Sequence, residues 1–159
     1  MTKTLEPRII EMLHAEAMTL ADEVRDTFDM SGRIAAVSQN EDLARVALSC
    51  EALRATTRMM HIIAWLLNQK AYLNGELSEF QLRRHGRLPR EKAVPDEEQL
   101  ALLPPTIRDL VNRTRNLHQR IARIDEGWTQ KRSEPEPAAE QQHGALALQD
   151  RLIRAIANN

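Results

Sequence analysis

The chain has 159 residues, enough for one domain and a tail, and 42% of them are hydrophobic, which suffices for a buried core. Only 3% are aromatic, so that core must be built from Leu, Ile, Met, Val and Ala, the side chains of helix bundles rather than of β-rich folds. With 22 basic residues against 23 acidic ones the formal net charge is −1, and no global field favours nucleic acid or an anionic membrane. The single cysteine excludes an intramolecular disulfide and fits a reducing compartment. No signal-peptide pattern opens the sequence, and the longest apolar run, Ile62 to Leu67, falls far below the ~20 residues of a membrane span. A cytoplasmic, soluble protein is expected.

Pro7 is placed to open a first helix, in which Ile9, Leu13, Ala17, Leu20, Val24 and Phe28 recur at steps of three and four. Ser31-Gly32 should end it. Residues 1–30 carry seven acidic side chains against three basic ones, so this helix should lie beside something basic.

A second helix is predicted from Ser38 to Leu73, about 50 Å long at ~1.5 Å per residue. Ser38 with Glu41 makes a capping box at its start, and Asn74-Gly75 supplies a left-handed stop. Val46, Cys50, Leu53, Thr57, Met60, Ala64, Leu67 and Ala71 alternate steps of four and three, which reads as the stripe facing the core. Met59, Ile62, Leu66 and Leu73 form a second row beside it. Glu51, Arg54 and Arg58 read as a local ion-pair network on the surface of this helix.

After Gly75, Ser78 and Gln81 form a capping box able to start one or two turns, and the connection then becomes strongly basic. Arg83, Arg84, Arg87, Arg90 and Lys92 oppose only Glu91 before Pro95. Pro105 opens a third helix whose core row is Ile107, Leu110, Thr114, Leu117, Ile121, Ile124 and Trp128, with several arginines on a face read as solvated and Gly127 as its end. Residues 129–144 hold two prolines and almost no apolar side chain, which predicts a disordered linker. Residues 145–157 are amphipathic again, with Leu148, Leu152 and Ile156 on one side.

The expected architecture is an all-α, antiparallel three-helix bundle over residues 1–128 with a long central helix, followed by a flexible tail, 129–159. If the outer helices are each about 22 residues, roughly 33 Å, part of the central helix remains uncovered. Met59, Ile62, Ile63 and Leu66 are then the candidate interface of a two-fold homodimer. An alternative is that the 75–104 connection folds over the same surface.

No constellation in the sequence carries an enzymatic reaction, and no cofactor or metal is expected. Glu11-x-x-His14 has a di-iron spacing but no second copy, and Cys50 and His61 lie about 16 Å apart along one helix, too far to share a metal. The basic stretch Arg83–Lys92 reads either as a solvated loop neutralised within the bundle or as a docking surface for an acidic segment or a phosphate-bearing ligand.

The run SCEALRATTRMMHIIAWLL at 49–67, with EAMTLADEVRDTF at 16–28, NGELS at 74–78 and LPP at 103–105, resembles the small helical family of the regulator of CtrA degradation, RcdA. The likeness spans roughly residues 9–126. It implies a homodimeric three-helix bundle and a non-enzymatic adaptor of alphaproteobacterial cell-cycle control. Such an adaptor helps deliver substrates, the response regulator CtrA among them, to the ClpXP protease, together with other adaptor proteins at the cell pole. Candidate partner contacts are Arg83, Arg84, Arg87, Arg90 and Lys92 and the tail residues Leu148, Leu152 and Ile156. The competing expectations are a helical sensor of an anionic small molecule and a small DNA-associated regulator, the latter disfavoured by the charge balance.

Overall fold

The computed structural model describes residues 5–35, 42–91 and 97–133. These residues are all-α. Five helices are present among them: α1 (Leu5–Ala35), α2 (Asp42–Leu73), α3 (Glu79–His85), α4 (Glu97–Ala101) and α5 (Pro105–Ser133). None is long and apolar enough to cross a membrane. The Ser38–Glu41 capping box, Lys92, and the tail residues Leu148, Leu152 and Ile156 lie outside the described residues.

Three long helices were expected, but their lengths differ from the expectation. α1 has 31 residues, α2 has 32 and α5 has 29, so the central helix does not outrun its neighbours. Two glycines read as stops are passed through. α1 continues beyond Ser31-Gly32 to Ala35, and α5 continues beyond Gly127 to Ser133. A glycine inside a helix costs only about 1 kcal/mol, and flanking contacts offset it: the Arg132 guanidinium lies over the Trp128 ring four residues earlier, 5.9 Å from its centroid.

Other punctuation works as read. Gly75 takes φ +78°; its N–H donates to Tyr72 O (3.0 Å) and that of Glu76 to Ala71 O (2.8 Å), a Schellman ending for α2. Ser78 caps α3, its hydroxyl accepting from the Gln81 N–H while the Gln81 side chain accepts from the Ser78 N–H. Pro105 begins α5.

Met1–Asp125 form one compact unit, and the last turns of α5 belong to a second that starts at Glu126. Within the first, α1 buries Ile10, Leu13, Ala17, Leu20 and Val24, and α5 buries Ile107, Leu110, Val111, Thr114, Leu117 and Ile121; the expected rows hold in their middle, with Ile10 buried where Ile9 was expected, Val111 added, and Ile9, Phe28 and Ile124 only partly buried. Side-chain pairs set the directions. Glu16 meets Arg120 and Glu23 meets Arg113, so α1 and α5 run antiparallel; Arg58 meets Thr114 and Trp65 meets Asp125, so α2 and α5 run parallel. At one end Leu100 of α4 and Leu103 close a cluster with Ala47, Ile107 and Val111.

α2 corrects the sequence reading most sharply. The row taken for its core stripe faces outward: Val46, Leu53, Met60 and Leu67 are 56%, 70%, 65% and 51% exposed. The buried row is Ala47, Glu51, Ala55, Arg58, Met59, Ile62, Trp65, Leu66 and Gln69. Met59, Ile62 and Leu66 are therefore covered within the chain and present no surface to a second copy; of that expected interface only Ile63 is partly exposed. Part of the cover comes from the connection after Gly75, whose α3 packs on α2 and whose Leu82 and Leu88 are buried.

Candidate functional site

The buried row of α2 carries polar groups, and two of its side chains, Arg58 and Trp65, find partners on neighbouring segments. Arg58 is 6% exposed. Its Nη1 donates to Thr114 Oγ1 at 2.7 Å, and its Nε to the Glu91 carboxylate. Thr114, fully buried, passes its own proton to Val111 O at 2.7 Å. A guanidinium can be buried because its planar fork serves two acceptors at once, one of them charged.

About three helical turns further along α5, Asp125 gathers three donors. Trp65 Nε1 reaches Oδ1 at 2.9 Å, while Arg87 Nε and the Leu88 backbone N–H reach Oδ2 at 2.9 and 3.3 Å. Between these two centres His118 Nε2 donates to Pro89 O at 3.1 Å. Burial pushes the His118 pKa below the ordinary histidine value; Glu91 and the bond to Pro89 pull it up, Arg58 and His61 push it down, and burial prevails. The imidazole is thus neutral at pH 7, with its proton on Nε2, since a carbonyl can only accept.

The segment 87–91 is consequently strapped to α2 and α5 at four points: Arg87, Leu88 N, Pro89 O and Glu91. Gly86 allows it to leave α3, because a Cβ there would lie 2.7 Å from Leu82 O and 2.6 Å from a Leu82 methyl. This strap fixes the basic stretch. Arg87 turns back to Asp125, Arg83 pairs with Glu79 one turn earlier, and Arg83, Arg84, His85 and Arg90 stand exposed on the outer side.

One further expectation about charge is revised. Glu51 and Arg58 are not surface groups: Glu51 is 2% exposed and holds Arg54 Nη1 at 2.6 Å. Arg113 and Arg120 of α5 are exposed as read and are also paired: Arg113 grips Glu23 and Arg120 grips Glu16, each with two guanidinium nitrogens. With Lys70 on Glu11 at 3.1 Å, the acidic flank of α1 does lie beside basic groups of both α2 and α5. Glu11 is thereby engaged as a structural ion-pair partner, and among the described residues no three His, Cys, Asp or Glu side chains come together to hold a metal.

That Arg58, Trp65, Thr114, His118 and Asp125 join Glu91 in holding the strap was not read from the sequence, which placed Thr114 only in a core row and Arg58 only in a surface ion-pair network. A signal for the α2 members existed: Glu51, Ala55, Arg58, Ile62, Trp65 and Gln69 also alternate steps of four and three, on a face about 140° from the more uniformly apolar row.

The profile of a family described as "Protein of unknown function (DUF1465)" matches residues 1–156. The chain belongs to the DUF1465 family. No curated protein and no solved structure matches it. The match spans all five helices of this DUF1465 chain, so strap, basic stretch and exposed α2 row all lie within the family region.

Proposed function

We propose that this DUF1465 protein is a non-enzymatic, cytoplasmic, homodimeric adaptor built on a bundle of its three long helices, with α1 antiparallel to α5 and α2 parallel to it. One observation carries the reading: buried Arg58, His118 and Asp125 hold the 87–91 strap in place, and the strap with the helix α3 before it presents a basic surface, Arg90 with Arg83 and Arg84. A preformed charged surface suits capture of an acidic protein segment, because steering is built in and little ordering is required on binding. The resemblance to the RcdA family supplies the cargo class, cell-cycle substrates such as CtrA delivered to ClpXP, working with other adaptors at the cell pole.

The test is reconstituted degradation of CtrA by ClpXP with its other adaptors, with and without this protein. Acceleration that is lost in Arg84→Glu/Arg90→Glu, with helicity retained, supports delivery through the basic surface. Arg87 is left intact because it also ties the strap. The same assay on a chain ending at Ser133 asks whether Leu148, Leu152 and Ile156 take part. Absence of acceleration and of binding to any component by the wild type overturns the adaptor reading.

A further inference from the structure

A surface helix of a globular protein ordinarily carries its charges on the face turned to water. α2 does the reverse. Beyond Arg45 no fully exposed residue of α2 is charged, while the buried face holds Glu51 and Arg58. The outward face instead repeats every seven residues over about 38 Å, from Val46 to Ala71 at ~1.5 Å per residue. One line of the repeat is large, Val46, Leu53, Met60 and Leu67; the adjacent line is small, Cys50, Thr57, Ala64 and Ala71. This is a coiled-coil seam with large side chains at d and small ones at a, left open among the described residues.

We propose that a second copy of this chain closes the seam, α2 against α2 in antiparallel orientation, so that the dimer interface is the face opposite Met59, Ile62 and Leu66. This rests on the homodimer reading above and gives it a surface and a register. Antiparallel coiled coils place an a residue of one helix opposite a d residue of the other. Centred between Arg58 and Met59, that rule sets Val46 opposite the partner's Ala71, Cys50 opposite the partner's Leu67, Leu53 opposite the partner's Ala64 and Thr57 opposite the partner's Met60. Every layer joins one large and one small side chain, and the two-fold axis repeats all four. A parallel pairing in register stacks Leu53 on its own copy and Ala64 on its own copy. Crowded layers would then alternate with empty ones, which close packing disfavours.

Charge and area agree with the choice of occupant. The ionic groups flanking the seam, Arg54 and Lys70, each already hold an acid of their own chain, Glu51 and Glu11, so two copies approach without unbalanced like charge. A strip about 38 Å long and roughly 10 Å wide on each copy gives on the order of 760 Å² for the pair in projection. Knob-and-hole relief raises the accessible area above the projection, toward the ~1,200 Å² where specific interfaces begin.

The experiment uses the full chain with Cys50→Ser, so that introduced thiols are the only ones. Val46→Cys/Ala71→Cys should form a covalent dimer under mild oxidation, whereas Val46→Cys alone should not, because its mate lies about 38 Å away in the partner. Sedimentation equilibrium should give twice the chain mass for the wild type and the single-chain mass for Met60→Glu. Ala64→Leu, which fills the small side of a layer at a position exposed in the single chain, should weaken the dimer with helicity unchanged; it serves if Met60→Glu misfolds. Cross-linking by Val46→Cys alone, or dimers undisturbed by both seam variants, overturns this interface while leaving the dimer reading standing. A wild type that sediments as a monomer at 0.1 mM, an order-of-magnitude choice well above ordinary dimer Kd values of ~1 μM, overturns both.

Discussion

Asp125 carries more of the strap than any other side chain, because one buried carboxylate accepts from Trp65, Arg87 and the Leu88 N–H together. Asp125→Ala leaves two buried donors without an acceptor, whereas the half-exposed Arg87 can return to water. The expected cost is about 1–3 kcal/mol, read as a lower urea midpoint. Asp125→Asn should fall between, since one oxygen can serve Trp65 but the amide then turns a donor toward Arg87. Equal midpoints for all three proteins would remove Asp125 from the fold's support. His118 makes a second, pH-dependent contribution. Its folded pKa lies below the ordinary ~6.5 of histidine, so the unfolded chain binds the proton more readily. Stability is full above that value and is lost as pH falls toward the lowered folded pKa. The thermal midpoint should drop between about pH 7 and 5.5, and His118→Gln, which keeps a donor for Pro89, should flatten that part of the profile. A slope unchanged in the variant would assign the loss to other groups.

At the scale of elements, the ends were easier to read than the faces. Gly75 and the Ser78–Gln81 box signal through local backbone chemistry that needs no partner, and both ends formed as the residues dictate. Gly75→Ala should therefore destabilise by about 1–2 kcal/mol, a strain of the positive φ with open space around the added Cβ. A thermal midpoint equal to wild type would show that α2 can end differently. The faces of α1 and α5 were legible because each has one apolar row and one charged side. α2 was not, since it has two seven-residue rows and the more uniformly apolar one is the more conspicuous. What sent the other row inward was the match of Arg58 to Thr114 and Glu91, and of Trp65 to Asp125, on segments 33 to 60 residues distant. Periodicity within a helix cannot report such partners. Gly127 misled for a related reason: a helix stops at glycine where the next turn has nothing to gain, and the contact between Arg132 and Trp128 gives it something.

Across the whole molecule, a net charge of −1 conceals a segregation: an acidic α1, an α5 rich in arginine, and between them two bidentate clamps, Glu16 with Arg120 and Glu23 with Arg113. Both clamps are nearly half exposed, so each contributes at most about 1 kcal/mol. Their larger effect is on register, since a shift of α1 along α5 would set acids against nothing. The hydrogen bonds from Arg113 hold the Glu23 carboxyl below the ordinary glutamate range, against the smaller opposing effect of burial. A lowered acid stabilises the fold above its unfolded pKa, about 4.3, and that contribution disappears as pH falls through the folded value. Charge reversal separates the pair from its surroundings. Glu23→Arg and Arg113→Glu should each destabilise, through like charges set face to face, and the double reversal should recover most of the loss at pH 7. The coupling should be about 0.2–1 kcal/mol, should shrink in 1 M salt, where the screening length is only ~3 Å, and should vanish once the pH has fallen through the lowered folded pKa of the carboxylate. A double variant no more stable than the sum of the single losses would show that α1 and α5 are aligned by their apolar rows alone.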